Sequence, residues 1–116
     1  MFVDTHCHFD FDDFAADRRE ILARAKQVGV RQIVTIGIDL PSSQRAISLA
    51  RDNGEIYATV GIHPHNARAL TAKDVQTLLS LGSKTQVVAY GEIGLDFYRN
   101  YQPRSVQINC IREQLN

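Results

Sequence analysis

Four apolar or β-branched runs begin near Phe2, Gln32, Ile56 and Val87, and each is followed by residues at helical spacing. The strand starts lie roughly 24 to 31 residues apart, the rhythm of parallel strands joined by crossover helices. Two architectures use that rhythm. A doubly wound sheet carries helices on both faces, whereas a (β/α)8 barrel carries them all outside and takes eight units over typically ~250 residues. This chain of 116 residues has four units, half of such a barrel. Both architectures place their site at the C-terminal ends of the strands, and the polar residues of this sequence collect there.

Local signals set the elements. Phe2 to His8 reads as a strand; after the Asp10 to Asp13 cluster, Phe14, Ile21, Leu22, Ala25 and Val28 recur at helical spacing, and Gly29 is a stop. Gln32 to Ile38 is the second strand, and Pro41 with Ser42 and Ser43 opens a helix that closes at Asn53 and Gly54. Ile56 to Gly61 is the third strand. Thr71 and Asp74 form a capping pair ahead of Val75, Leu78 and Leu79, and Gly82 ends that helix. Gln86 to Ile93 is the fourth strand, and Ile108, Ile111 and Leu115 mark a helix after Pro103. No linker or low-complexity stretch interrupts this order, so residues 1–116 are expected to form a single domain.

Composition narrows the function classes. With 44% apolar and 22% charged residues the chain is not of the disordered type. Thirteen basic residues balance thirteen acidic ones, so no global positive field draws a nucleic acid or an acidic membrane, and phosphate chemistry must be local. Two cysteines, Cys7 and Cys110, do not make a disulfide framework and fit a reducing cytosol. Neither a leader pattern nor a run approaching ~20 apolar residues is present, so a cytoplasmic protein without a membrane partner is expected. No Gly-rich phosphate loop points to a dehydrogenase or an NTPase.

In Asp4-Thr5-His6-Cys7-His8 the two histidines stand two positions apart on a strand. Their side chains leave one face and can converge on one cation, with Asp4 on the same face as an acceptor that orients a ligand imidazole. Cys7 points the other way. The alternative is a pair of core histidines with satisfied ring nitrogens. His63 and His65 close the third strand in Gly61-Ile62-His63-Pro64-His65, where Pro64 makes a loop. They can meet a substrate phosphate, stand behind the ligands, be solvated loop residues, or cap the turn.

Glu92 sits between Gly91 and Gly94 at the end of the fourth strand. A carboxylate in so apolar a strand must be metal-bound, neutralised or paired with an arginine, because an isolated buried charge costs several kcal/mol. Asp96 and Arg99 follow in a loop that can hold substrate, and the planar guanidinium suits phosphate. Cys110 reads as core packing, so no cysteine nucleophile is expected.

Three separated motifs resemble the TatD family of metal-dependent hydrolases in the amidohydrolase-like superfamily: Asp4-Thr5-His6-Cys7-His8-Phe9-Asp10, Gly61-Ile62-His63-Pro64-His65 and Gly91-Glu92-Ile93-Gly94-Leu95-Asp96-Phe97. The resemblance implies the N-terminal half of a (β/α)8 TIM barrel and a deoxyribonuclease that hydrolyses phosphodiesters with a metal-activated water. It implies that His6 and His8 ligate one metal and that Glu92 bridges two and is catalytic. His63, His65, Asp96 and Arg99 are then expected to bind substrate. The family's site holds two divalent ions, and imidazole favours Mn2+ or Zn2+ while carboxylate and water also admit Mg2+.

By the same resemblance two further histidines and an aspartate belong to later strands, beyond Asn116. A single truncated domain is therefore expected, acting on DNA or another phosphodiester. Its open strands predict self-association or a complementing C-terminal half. The competing reading is an inactive or partner-dependent half-barrel, an interaction or metal-binding module.

Overall fold

A computed structural model describes residues 1–116. The strands are β1 (Phe2–Cys7), β2 (Val30–Thr35), β3 (Ile56–Val60) and β4 (Val87–Tyr90), and the helices are α1 (Arg18–Gln27), α2 (Leu40–Asp52), α3 (Ala72–Gly82) and α4 (Arg104–Leu115). Short 3-10 turns cover Asp12–Phe14 and Pro64–Asn66.

All pairings are parallel and the sheet order is β1-β2-β3-β4. Each crossover therefore steps the same way across the sheet, and right-handed crossovers then bring the helices back over one face. A doubly wound sheet reverses direction partway. This one does not, so the fold is α/β in the barrel manner, four successive units of a (β/α)8 TIM barrel.

The main core lies between the sheet and the first three helices, where Phe9, Leu22, Ile33, Ile47, Ile56, Val60 and Leu81 pack together. A second cluster of Ile62, Ala67, Leu78 and Cys110 seats α4 against the β3 exit. Cys110 is thus packing, as its register indicates. Burial follows position in the sheet: β3 is almost wholly buried, whereas β1 and β4, each paired on one side only, are largely exposed. No helix is long and apolar enough to cross a membrane.

Local chemistry explains the helix starts. Asp39 accepts from the Ser42 amide at 2.7 Å and caps α2, with Pro41 in its first turn. Thr71 and Asp74 exchange both bonds of a capping box ahead of α3. The first helix is shorter than the spacing from Phe14 indicates. Phe14 lies in the 3-10 turn, and Arg18 opens α1 while its guanidinium donates to the carbonyls of Phe9 and Phe11 at 3.0 and 3.1 Å.

The strands end before the sequence pattern does. Ile36 to Ile38 leave β2, with Ile36 donating its amide to Cys7 and Gly37 donating to Thr59. A Cβ at Gly37 would fall 2.5 Å from Ser43 Oγ and 2.7 Å from the Thr59 carbonyl oxygen, so only glycine fits that crossing. β4 stops at Tyr90 rather than Ile93, because the Gly91 amide bonds Val60 and the Glu92 amide reaches across to Gly37 at 2.7 Å.

Candidate metal centre

Glu92 is the meeting point of three histidines. It is not the buried strand residue that the apolar run suggests: its side chain is 36% exposed and hangs over the mouth of the sheet. Its two oxygens face different partners. Oε2 lies 3.4 Å from His6 Nε2 and 3.9 Å from His8 Nε2, while Oε1 lies 3.4 Å from His63 Nε2.

His6 leaves the end of β1 and His8 the residue after it, and their rings stand edge to face with centroids 5.3 Å apart. The Ile36 carbonyl is 3.3 Å from His8 Nδ1. A carbonyl only accepts, so Nδ1 carries a proton, and in the neutral ring the lone pair is on Nε2, 3.9 Å from Glu92 Oε2. Phe11 stacks on the outer side of the same ring at 4.7 Å. Asp4, expected to orient an imidazole, instead accepts from the His6 backbone amide at 3.1 Å. It lies two residues back on the strand and meets the main chain before it can meet a ring.

Cys7 turns away and packs beside the core. Burial pushes its thiol up from its ordinary value, with Asp4 and Asp10 adding to the shift, so it stays protonated and offers no ligand thiolate.

His63 has the opposite polarity to His8. Its Nδ1 accepts from the His65 amide at 3.0 Å, which leaves the proton of the neutral ring on Nε2. Burial lowers its pKa, with the Glu92 charge opposing, so the ring is neutral at neutral pH.

His65 and Asp96 turn to each other rather than to an open substrate cleft, with Nε2 and Oδ2 at 2.6 Å. Asp96 also accepts from the amides of Arg99 and Tyr98 at 2.9 and 3.1 Å. The Arg99 amide first, and then His65, hold its carboxyl down to about 2. With its oxygens so engaged Asp96 has little left for substrate. Arg99 itself stays more than half exposed, with only a 3.5 Å contact to Asp96.

Two residues that sequence reasoning passes over hold the rim together. The Gln107 side chain accepts from the Asp96 amide at 2.8 Å and donates to the Gln102 carbonyl at 2.8 Å. Gln114 accepts from the Ile62 amide at 2.7 Å and donates back to its carbonyl at 3.2 Å. Asp10 does the same below the first loop, where its buried carboxylate receives Ser42 Oγ at 2.9 Å and Arg45 at 3.1 Å.

The ligand atoms of His6, His8 and Glu92 all lie within 4.8 Å of one another. Ligand bonds of about 2.0 to 2.2 Å put two donors of one ion roughly 3 to 4 Å apart, so the 3.4 and 3.9 Å separations suit a shared cation. A lone pair facing a carboxylate oxygen is repulsive without a positive species between them. The donor set of imidazole and carboxylate therefore fits a divalent ion.

Sheet order and site together place the chain among parallel βα barrels with a histidine–carboxylate cluster at the strand ends. The family model described as TatD related DNase matches residues 3–116, and the chain belongs to that family. It is 35% identical over 115 residues to the uncharacterized metal-dependent hydrolase YabD of Bacillus subtilis, which covers 99% of this chain and 45% of the relative. It is 39% identical over 102 residues to the 3'-5' ssDNA/RNA exonuclease TatD of Cronobacter turicensis, covering 88% and 39%.

Among solved structures, the TatD homologue YjjV of Escherichia coli superposes with a TM-score of 0.84 at 34% identity, over 98% of this chain and 45% of that one. A TatD family hydrolase from Entamoeba histolytica gives 0.87 at 26% identity, over 97% and 44%. The chain thus spans less than half the length of these relatives.

Proposed function

We propose that residues 1–116 form one unit of a metal-dependent phosphodiesterase, a deoxyribonuclease, in which His6, His8 and Glu92 hold the cation. The reading rests on the carbonyl-fixed His8, whose Nε2 lone pair faces a Glu92 oxygen at 3.9 Å. A divalent ion bound there supplies Lewis acidity, lowering the pKa of water and polarising a phosphoryl oxygen.

The side chains divide the remaining work. Glu92 turns Oε2 toward His6 and His8, while Oε1 lies 3.4 Å from His63 Nε2, close enough for the carboxylate charge to act on that ring. Arg99 extends from the β4 exit, where its exposed guanidinium can pair with a substrate phosphate. No protein nucleophile is required, and the protonated, inward-facing Cys7 does not provide one.

A single strand or strand end fits this arrangement better than a long duplex. The net charge is zero, whereas duplex binders usually carry a broad basic face. The name of the Cronobacter relative, a 3'-5' ssDNA/RNA exonuclease, points the same way.

Mn2+-dependent release of nucleotides from single-stranded DNA is the test. Activity should disappear in excess chelator and in Glu92→Gln, and equal activity in either case would defeat the reading.

A second reading is favoured by the open sheet edges: the unit binds metal and a partner and is active only when further βα units complete the barrel. Largely exposed β1 and β4 support it. Under that reading nuclease activity appears on complementation by a C-terminal half and is absent without it.

A further inference from the structure

Three histidines face Glu92, but not with the same chemistry. His8 presents a lone pair, because the Ile36 carbonyl fixes its proton on Nδ1. His63 presents an N–H, because the His65 amide occupies its Nδ1 at 3.0 Å. The position of one backbone amide therefore decides whether His63 turns an N–H toward Glu92 or competes for a cation.

That amide is held from two sides. The His65 ring is tied to Asp96 at 2.6 Å, and the His65 carbonyl accepts from Gln102 Nε2 at 3.1 Å. Asp96 is fixed in turn by the amides of Tyr98 and Arg99 through Oδ1, and its own amide is bound by Gln107. The β3 exit loop is thereby fastened to the β4 exit loop and to α4. Nothing in metal ligation or phosphate binding requires this chain of contacts.

We infer that His65 and Asp96 are positioning residues that lock His63 in its Nε2–H tautomer, so that it presents an N–H rather than a lone pair toward Glu92 Oε1, 3.4 Å away, and stays out of the ligand set. The consequence for the cation rests on the function proposed above, while the tautomer does not. Outer partners of this kind typically change metal affinity by about 10- to 100-fold when removed.

The test reads ring nitrogens directly. Long-range proton–nitrogen spectra of the full, metal-free chain at pH 8 should show His63 protonated on Nε2 and bare on Nδ1. His65→Leu should move His63 toward a mixture of tautomers and weaken Mn2+ binding by about 10- to 100-fold, while His65→Gln, whose amide can still donate to Asp96, should restore both.

A wild-type His63 protonated on Nδ1 would overturn the inference without recourse to any variant. So would a folded His65→Leu chain with an unchanged His63 tautomer. If the tautomer responds to His65 as expected but Mn2+ does not bind the wild type, the positioning role stands and the metal reading fails.

Discussion

His8 turns Nδ1 to the carbonyl oxygen of Ile36 at 3.3 Å, and this contact leaves its other nitrogen bare in front of Glu92. Ile36 belongs to the stretch that departs from β2, so the sheet's own early ending supplies the acceptor. Replacing both strand-end histidines removes two of three donors. His6→Ala/His8→Ala should weaken Mn2+ or Zn2+ binding by about 100-fold or more in titration calorimetry, above the usual effect of an outer partner. Affinity equal to the wild type would place the ion elsewhere.

Asp10 shows how the first loop is held. Its carboxylate is fully buried and receives Ser42 and Arg45 from α2, so the loop that follows His8 is fastened to a neighbouring unit. Asp10→Ala leaves the buried Ser42 hydroxyl without its acceptor. A loss of about 1 to 3 kcal/mol is expected, read as a lower urea midpoint at unchanged slope. An unchanged midpoint would show that the contact is dispensable.

Acid stability follows from Asp96. Its folded pKa of about 2 lies below the ordinary 3.8, so its contribution is complete above 3.8 and is lost as pH falls toward about 2. Asp96→Asn has no such titration. Urea midpoints of wild type and variant should therefore converge across that window, because the wild type loses more, and a constant difference would rule out the linkage. Asp74 adds a parallel acid sensitivity to both chains, since the Arg68 guanidinium lowers its pKa.

Much of this was legible in the sequence where cause and effect lie close together. The Thr71 and Asp74 capping box is local, and both of its bonds form. The βα rhythm fixed the parallel sheet, and the strand order then selected the barrel. Contacts between distant segments were not legible. No local pattern marks Gln107 or Gln114, yet they bind backbone groups 11 and 52 residues away. Glu92 looked like a buried strand acid because its apolar neighbours continue the pattern, whereas its amide follows Gly37 out of the ladder. Same-face geometry alone points Asp4 at an imidazole, but the His6 amide lies nearer and claims it.

The open edges make their own prediction. β1 and β4 are each paired on one side, and Phe2, Val88 and Tyr90 are exposed on them. Unpaired strand edges with apolar side chains favour association. Light scattering across a concentration series should show particles larger than 13.0 kDa that give way to a defined complex when the remaining βα units are supplied. A particle of that mass at every concentration would contradict the prediction.

Anomalous scattering from Zn2+-soaked crystals decides whether His6, His8 and Glu92 share one cation. A peak is expected about 2.0 to 2.2 Å from His6 Nε2, His8 Nε2 and Glu92 Oε2, with His63 outside ligand distance. A peak ligated by His63 in place of His8, or no peak between these side chains at saturating zinc, would contradict it.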